Sequence, residues 1–292
     1  MLVSIGIPVR NGADRLETAV RSALAQDHTE LEVVISDNAS TDDTEELCRE
    51  LARQDSRIAY YRQPHDLHVI GNFVEVLRRA RGEFFRWMGD DDLLEPGYVS
   101  RTLEPFLADE RLILVTSDVT YIGADGTVHE PRYRGTRMLS DDPIDRLDEL
   151  WDVVTTEHHG LDPLYGLMRR ERVAAVPRPL MIREDEVYAT MLALTAPWGH
   201  VPEVLAHRNL RERRLSGIAA ALGVPAWTAH FATTLQFRAM YRALGILELS
   251  PEQRSRARAV LLRTYWRRQQ QMLAHRSRKL AGLAARAVSS KG

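Results

Sequence analysis

Three consecutive carboxylates, Asp90, Asp91 and Asp92, follow an apolar stretch at residues 84–88 of this 292-residue chain. Adjacent carboxylates repel one another unless a cation or solvent separates them. The apolar stretch has the composition of a buried strand, and α/β sheets bind ligands at the carboxyl ends of their strands. One or two carboxylates together with substrate phosphates commonly hold Mg²⁺ or Mn²⁺. The cluster therefore indicates a divalent metal site, and a solvated acidic turn is the alternative interpretation.

The segments before the acid cluster predict the sheet that positions it. Short apolar runs at residues 2–9, 31–36, 57–62 and 83–88 alternate with helical patterns at residues 13–26, about 40–54 and 73–80. This alternation predicts an α/β fold with a mostly parallel sheet that is flanked by helices. Polar motifs follow three of the strands: Pro8-Val9-Arg10-Asn11, Asp37-Asn38-Ala39-Ser40 and the acid cluster. Because parallel strands end at one edge of a sheet, the three motifs are expected to meet there.

The second half of the chain has weaker patterns. Residues 111–128 are strand-like, whereas residues 130–162 are polar and rich in turn signals, which predicts a mobile or acceptor-facing loop region. Glu184, Asp185 and Glu186 precede a helical run. From about residue 225 onward the chain is compatible with helix, so a helical C-terminal extension is expected.

Composition limits the classes of protein that fit. Apolar residues make up 44% of the chain and charged residues 27%, as in ordinary globular proteins. No apolar run approaches the length of a membrane-spanning helix, and the start of the chain has no signal-peptide pattern. The single cysteine, Cys48, excludes an internal disulfide and a cysteine metal cluster. These features predict a cytoplasmic location.

Charge is unevenly distributed along the chain. Residues 251–292 hold eleven basic residues and one acid, a net charge of +10, whereas the rest of the chain carries −12. This asymmetry predicts docking on the acidic body of the same or a twin subunit, or contact with an anionic membrane at its inner face. Docking would bury apolar side chains and tolerate salt. The candidates for burial are Phe231, Leu235, Leu261, Leu262 and Trp266.

Together the motifs resemble those of the family 2 inverting glycosyltransferases, which have the GT-A fold. The matching segments read SIGIPVRNGADRLETAVRSALAQ, LEVVISDNASTDDT and GNFVEVLRRARGEFFRWMGDDDLLEPGY. The resemblance covers residues 2–100, weakens through the middle, and returns at residues 163–171 and 185–208. Nothing beyond about residue 215 is recognised.

This resemblance implies a domain organisation and a reaction. Residues 1–215 would form the GT-A domain, with a nucleotide-sugar-binding half at 1–100 and an acceptor-binding half at 101–215. Residues 216–292 would form a basic helical extension. The implied reaction is metal-dependent transfer of a sugar from a UDP- or dTDP-sugar to an acceptor hydroxyl or amine, with inversion. The acceptor would be a small molecule, a saccharide or a lipid-linked glycan, and no nucleic acid is expected as a partner.

The resemblance also assigns roles at the nucleotide-sugar site. Pro8 and Arg10 would lie under the nucleotide, and Asp37 would accept a hydrogen bond from the imide N–H of a pyrimidine base. Asp90 would bond the ribose or the metal's shell, with Asp91 beside it in the site, facing solvent or capping the next element. Asp92 would bind Mn²⁺ or Mg²⁺ directly, shared with the diphosphate. An Asx turn is the alternative role for Asp37.

A third metal contact and a general base complete the implied site. Many relatives have a histidine after the last strand, but Arg211 stands at the aligned position here, with His207 four residues earlier. Asp185 matches the family's general base, and Glu184 and Glu186 are competing candidates. The alternative is that all three acids only favour a helix N-terminus.

Two other functions fit less well. A sugar nucleotidyltransferase needs a glycine-rich basic loop after the first strand, and residues 8–14 contain one glycine and one arginine. A catalytically silent sugar-nucleotide-binding or scaffold protein would not need the four acids Asp37, Asp90, Asp92 and Asp185. The sequence therefore favours an enzyme.

Overall fold

A computed structural model describes residues 1–156, 160–210 and 214–289, with side-chain surroundings described as far as residue 274. The first part is a repeated strand–helix unit that matches the expectation from the sequence. Its strands run parallel to one another, and short connections lead into and out of each helix. In chain order the elements are β1 (Val3–Val9), α1 (Leu16–Leu24), β2 (Leu31–Asp37), α2 (Thr44–Gln54), β3 (Ile58–Arg62), α3 (His68–Arg79) and β4 (Phe84–Trp87).

The second part adds further strands to the same sheet and ends in helices. Its elements are β5 (Leu93–Leu94), α4 (Tyr98–Ala108), β6 (Leu114–Gly123), β7 (Val128–His129), α5 (Pro143–Thr156), β8 (Leu167–Arg169), α6 (Arg170–Ala174), α7 (Glu184–Thr195), β9 (Trp198–Leu210), α8 (Leu215–Leu222), α9 (Ala232–Ala243) and α10 (Pro251–Ser289). Because β9 ends at Leu210 and α8 begins at Leu215, a domain limit near residue 215 falls between elements. That limit stays a prediction.

Within the described residues, the strands form one sheet in the order β3-β2-β1-β4-β8-β6-β9-β5, and β7 pairs with β6. The strands β1 to β4, β6 and β9 all run in one direction, while β8, β5 and β7 run against them. The sheet is therefore mostly parallel, as predicted, and the three-residue strand β8 joins its two halves.

Two apolar clusters cover the faces of the sheet, so its strands are buried on both sides. Successive side chains on a strand point to opposite faces. Phe84 accordingly packs with α1, α2 and α4, whereas Phe85 packs with α3, α5 and α7. Burial on both faces explains why apolar residues are the majority in β1 and β2, and the polar residues Ser4, Glu32 and Ser36 are buried with them.

The helix α5 contradicts the expectation of a loop region at residues 130–162. Its apolar residues recur at helical spacing and are buried where α5 packs with α7 and α10: Ile144, Leu147, Leu150 and Trp151. Its acids gave the segment its polar character: Asp145, Asp148 and Asp152 are half-buried, and Glu149 is buried. The residues that precede α5 do connect irregularly, with a short 3-10 turn at Arg137–Leu139.

The extension docks on the body of its own chain. Helix α10 lies along α5, where Arg267 pairs with Asp152 at 3.1 Å and Arg263 pairs with Asp148. Leu261 is fully buried, as expected for docking, and Leu235 is half-buried. The expected burial of three other side chains is wrong, since Phe231, Leu262 and Trp266 remain 56%, 44% and 63% exposed. No helix in the described ranges is long and apolar enough to cross a membrane.

Candidate active site

The three motifs predicted to share an edge of the sheet do meet there. Val9 at the end of β1 is in register with Asp37 at the end of β2, which is in register with Arg62 of β3. The backbone N–H of Asn38 donates to the carbonyl of Val9 at 2.9 Å. The acid cluster follows β4, the other neighbour of β1. Strand order and register therefore create a common rim.

Hydrogen bonds join the loop after β1 to the loop after β2. The backbone N–H of Asn11 donates to Ser40 Oγ at 2.9 Å, and that of Gly12 donates to Thr44 Oγ1 at 2.8 Å. In the opposite direction, the N–H of Thr41 donates to Asn11 Oδ1 at 2.8 Å. Asn11 holds φ at 51°, a left-handed conformation that asparagine tolerates. The two loops thus form one hydrogen-bonded unit.

Asp37 lies fully buried beneath this unit. Its Oδ1 accepts from the backbone N–H of Ser40 at 2.9 Å, which closes the turn considered as its alternative role. Its Oδ2 accepts from Tyr60 at 2.8 Å and from Arg62 at 3.0 Å. Burial and the bond to Asp37 raise the pKa of the Tyr60 phenol, which therefore donates. Binding of a base N–H by Asp37 stays a prediction, and Arg62, on the solvent side, would have to leave room for it.

Pro8 and Arg10 have different positions on the rim. Pro8 is buried within β1, whereas Arg10 is exposed and pairs with Asp66 in the connection between β3 and α3. Asn38 Nδ2 also donates to Asp66, at 2.7 Å. Arg10 therefore presents a positive charge beside the rim, while Pro8 lies buried in β1, one residue before the end of the strand.

The acid cluster is held by cations and backbone amides. Arg15 from the loop before α1 donates to Asp90 Oδ2 at 2.6 Å. Gly12 approaches so closely that a Cβ there would lie 2.9 Å from the same oxygen. The carbonyl of Asp91 accepts from Asn209 Nδ2 at 2.6 Å. Asp90 and Asp91 are half-buried, in contrast to Asp92.

Asp92 is 1% exposed, and its Oδ2 accepts from the N–H of Gly89 at 3.0 Å and from Arg208 Nε at 3.1 Å. Arg208 also donates to Asp162, and its guanidinium stacks on Tyr165 at 3.4 Å from the ring centre. Burial opposes the charge of Arg208. Asp162 and Asp92 outweigh this effect, so the pKa of Arg208 lies well above its usual value.

The sequence did not identify Arg208, Asp162 or Tyr165 as members of the site. The sequence predicts the third metal contact at Arg211 or in the region of His207. Arg211 lies outside the described residues, and His207 pairs with Glu95 at 2.7 Å. A signal did exist, because the recognisable similarity resumed at residue 163, directly after Asp162, included Tyr165, and ended at Arg208.

The residues present are compatible with a divalent ion that arrives with the donor. Within the described ranges, no group of three potential ligand side chains is assembled for a metal. A Mg²⁺ or Mn²⁺ ion needs only one or two carboxylates when phosphates and water supply the other oxygens. Asp92, with Asp90 and Asp91 beside it, provides such carboxylates.

A second group of acids begins α7. Arg183, directly before the helix, has a left-handed φ of 63°, an unusual conformation for a residue with a Cβ. The side chain of Asp185 reaches solvent, and the protein packed around it reduces its hydration. Burial by that protein, with the charges of Glu186 and Glu184, raises the pKa of Asp185 to about 6. A carboxyl with a pKa in this range is suited to accept a proton near neutral pH.

The two neighbours of Asp185 are engaged in ion pairs. Glu184 accepts two bonds of 2.7 Å from Arg178. Glu186 pairs with Arg268 of α10 at 2.6 Å and accepts from Gln236 of α9 at 2.6 Å. Among the described residues, Asp185 forms no side-chain ion pair of this kind. The geometry therefore distinguishes the three candidates for a base.

Tyr165 connects the acid cluster to the start of α7. Burial raises the pKa of Tyr165 to about 12, and the charges of both Arg208 and Arg178 act to lower it. Arg178 in turn lies 5.0 Å from the ring centre of Trp87, at the end of β4. Because Arg178 is also ion-paired at the start of α7, its contacts join that end of the helix to the end of β4.

Solved structures define the class of fold. S. aureus TarS has a TM-score of 0.64 and 17% sequence identity to this chain, covering 91% of it and 44% of TarS. A shorter TarS structure in complex with UDP-GlcNAc has a TM-score of 0.62 at 16% identity, with 91% and 73% coverage. A Pyrobaculum calidifontis mannosyltransferase in complex with GDP-Man and Mn²⁺ has a TM-score of 0.54 at 20% identity, with 88% and 73% coverage. The fold is GT-A, as predicted.

The family follows from the sequence itself. The model of glycosyl transferase family 2 matches residues 4–174, and the chain belongs to that family. It is 35% identical over 103 residues to the Campylobacter jejuni GalNAc(5)-diNAcBac-PP-undecaprenol beta-1,3-glucosyltransferase, which is 35% of this chain and 33% of that protein. It is 32% identical over 127 residues to Pasteurella multocida chondroitin synthase, or 44% of this chain and 13% of that protein. The matches thus span a third or less of these relatives.

Proposed function

We propose that this protein transfers a sugar from a UDP- or dTDP-sugar to an acceptor hydroxyl or amine, with inversion of the anomeric centre. The observation that carries the proposal is Asp185, whose carboxyl is open to solvent, has a pKa near 6 and has ion-paired neighbours. Membership of glycosyl transferase family 2 supports the reaction class.

In the proposed mechanism, each group acts on a different part of the donor or acceptor. Asp37 receives the base after Arg62 has made room for it, and Arg10 contributes positive charge beside the nucleotide. Asp92 would hold Mn²⁺ or Mg²⁺, with Asp90 and Asp91 near it. Such an ion, when bound, offsets the charge that develops on the departing diphosphate.

Asp185 supplies the chemistry on the acceptor side. Its carboxylate takes the proton of the acceptor hydroxyl as that oxygen bonds to the anomeric carbon. The bond from this carbon to the diphosphate oxygen breaks on the opposite face, which inverts the configuration. The nucleoside diphosphate leaves, and the proton on Asp185 later passes to solvent.

We further propose a saccharide or lipid-linked glycan as acceptor, with a peripheral membrane contact through the extension. The name of the C. jejuni relative contains a polyprenyl diphosphate-linked glycan. In this chain, exposed aromatic residues lie on the extension together with arginine. Trp227 and Phe231 pack edge to face, and Arg258 lies 5.3 Å from the ring centre of Tyr241. Aromatic and basic side chains together suit an anionic membrane surface.

The test is a panel of labelled sugar nucleotides incubated with the full chain and Mn²⁺. We expect release of UDP or dTDP from one donor, a β-linked product from an α-linked donor, and loss of both activity and donor binding in Asp92→Ala. Full turnover by Asp92→Ala in the presence of EDTA would refute the metal assignment. No release from any donor, with or without saccharide acceptors, would favour a silent binding protein.

A further inference from the structure

Arg208 contacts the predicted metal ligand directly, through one oxygen of its carboxylate. Its Nε lies 3.1 Å from Asp92 Oδ2, and its NH1 donates to Asp162. The guanidinium is packed flat on Tyr165, 3.4 Å from the ring centre. Only 19% of the Arg208 side chain is exposed, so water screens these contacts weakly.

The opposite charges of Asp92 and Arg208 compensate each other, and this affects how a metal ion can bind. Asp92 and its partner Arg208 are both largely buried, and a buried carboxylate needs a nearby positive charge or several hydrogen-bond donors. The N–H of Gly89 already uses part of the capacity of Asp92 Oδ2. A metal ion that approached this oxygen would meet the positive charge of Arg208 as a competitor.

We propose that Arg208 is the resident counter-cation of Asp92: it compensates the charge of the carboxylate and orients it, and a metal ion must displace it. This inference deepens the proposed function and rests on its assignment of Asp92. Asp162 retains Arg208 after displacement, because it holds a different nitrogen of the guanidinium. The two phosphates of the donor supply the additional negative charge that makes displacement favourable. Metal binding to the protein alone is therefore weak and is strengthened by the donor.

The direct test measures Mn²⁺ binding without any reaction. The full chain is titrated with Mn²⁺, and free Mn²⁺ is followed by electron paramagnetic resonance, with and without UDP. We expect at least tenfold tighter binding of Mn²⁺ alone to Arg208→Gln than to the parent chain. We also expect Asp92→Asn to abolish the gain in the double variant Arg208→Gln/Asp92→Asn.

Arg15→Gln is the matched control, because Arg15 pairs with Asp90 in the same cluster at 2.6 Å. If charge in the neighbourhood were the only cause, Arg15→Gln would tighten Mn²⁺ binding as much as Arg208→Gln does. Equal effects of the two variants would therefore overturn the inference. So would unchanged Mn²⁺ affinity in Arg208→Gln.

A companion variant covers the risk that Arg208→Gln does not fold, since it leaves two acids without their shared partner. Arg208→Gln/Asp162→Asn removes one charge of each sign and retains Asp92. Its circular dichroism spectrum establishes the fold, and the same Mn²⁺ titration then decides the question. Absence of Mn²⁺ binding by the parent chain with UDP would instead count against the proposed function. If the parent chain binds Mn²⁺ in the presence of UDP, but Arg208→Gln leaves the Mn²⁺ affinity unaltered, only this inference is contradicted.

Discussion

The three acids at the start of α7 differ in their ion pairs. Glu184 and Glu186 are fixed by arginines, whereas Asp185 has a raised pKa and is open to solvent. We expect Asp185→Asn to lower kcat by about 10²- to 10⁴-fold, the scale of a lost general base, with donor affinity changed only a few-fold. Steady-state kinetics and calorimetric titration measure the two quantities. Glu184→Gln is the control, and loss of turnover in this folded variant with retention in Asp185→Asn would assign the base to Glu184.

The dependence of activity on pH follows from the same carboxyl. The base form is present above a pKa of about 6, so kcat/KM should rise about tenfold per pH unit below 6 and level off above it. Glu186→Gln removes a negative neighbour that raises this pKa, and should shift the midpoint to lower pH. A pH series on both proteins tests this, and identical midpoints would exclude the influence of Glu186.

The raised pKa of Asp185 also predicts an effect on stability. A carboxyl whose pKa is higher in the folded state than its usual 3.8 binds protons more tightly when folded, so its charge at neutral pH opposes folding. Asp185→Asn should raise Tm at pH 8, and the gain should disappear as pH falls below about 4, where both states are protonated. Thermal melts across this range measure the difference, and a lower Tm at pH 8 would contradict the argument.

Asp37 is expected to act on the donor despite its burial. Asp37→Asn should weaken UDP binding by about 10- to 100-fold, since a hydrogen bond to a charged group contributes roughly 1.5 to 3 kcal/mol. Tyr60→Phe is the control, because it removes one bond to Asp37 and leaves the carboxylate in place. Calorimetry on both variants decides the matter. If Tyr60→Phe weakens UDP binding equally, Asp37 acts through the turn it closes with Ser40.

At this scale the sequence predicted residues that lie at strand ends and missed residues that arrive from elsewhere. Asp37 and Asp92 follow apolar strands, so their place on the rim follows from strand order alone. Arg208 reaches Asp92 across 116 positions of sequence. No local pattern encodes such a contact, because it depends on where β9 ends in the finished sheet.

Helix α5 shows how an element can be misjudged from its polar residues. Its outer acids and the turn signals before it suggested a loop, while its apolar residues carried the correct periodicity. Acids of α5 pair with Arg263 and Arg267 of α10, and an acid directly before α5 pairs with Arg256. The acids that made α5 resemble a loop in the sequence are therefore residues that bind α10.

Burial, more than charge, is expected to hold α10 on α5. Leu261→Ala should lower the free energy of unfolding by about 2 to 5 kcal/mol, because Leu261 is fully buried. The adjacent Leu262→Ala is the matched control, since Leu262 is 44% exposed and should cost less than about 1 kcal/mol. Urea unfolding measures both. Equal losses would mean that α10 does not dock through the face that contains Leu261.

For the whole molecule, charge predicted that the extension docks on the body or contacts an anionic membrane, and the structure shows how much of that charge is paired within the chain. Arg256, Arg263, Arg267 and Arg268 all pair with acids of the body. Each paired arginine contributes less to membrane attraction, which is about 1 kcal/mol for a basic residue at an anionic surface. The apolar candidates were predicted less well, because helical spacing does not reveal which face of α10 meets α5.

We expect the full chain to float with anionic vesicles at low salt and to be released at high salt, with little binding to neutral vesicles. Trp266→Ala should weaken this binding, because Trp266 is 63% exposed. Light scattering on the same samples reports whether the protein is a monomer or a dimer. Absence of flotation at low salt rules out the membrane contact, and a stable dimer would assign the exposed aromatic residues to a subunit interface.

The position of β8 has a consequence for the order in which the chain folds. Strands β1 to β3 can pair as soon as residues 1–62 are available, whereas β4 pairs with β1 across 81 positions of sequence, Val3 with Phe84. The edge of β4 stays unpaired until Leu167–Arg169 are available, and β6 stays unpaired on one side until β9 is available. Each of these partner strands lies about 80 residues further along the chain. Closing such long loops slows folding. A nascent chain would therefore expose an unpaired strand edge beside the future donor site until β8 arrives, which makes this stage the one most open to misassembly.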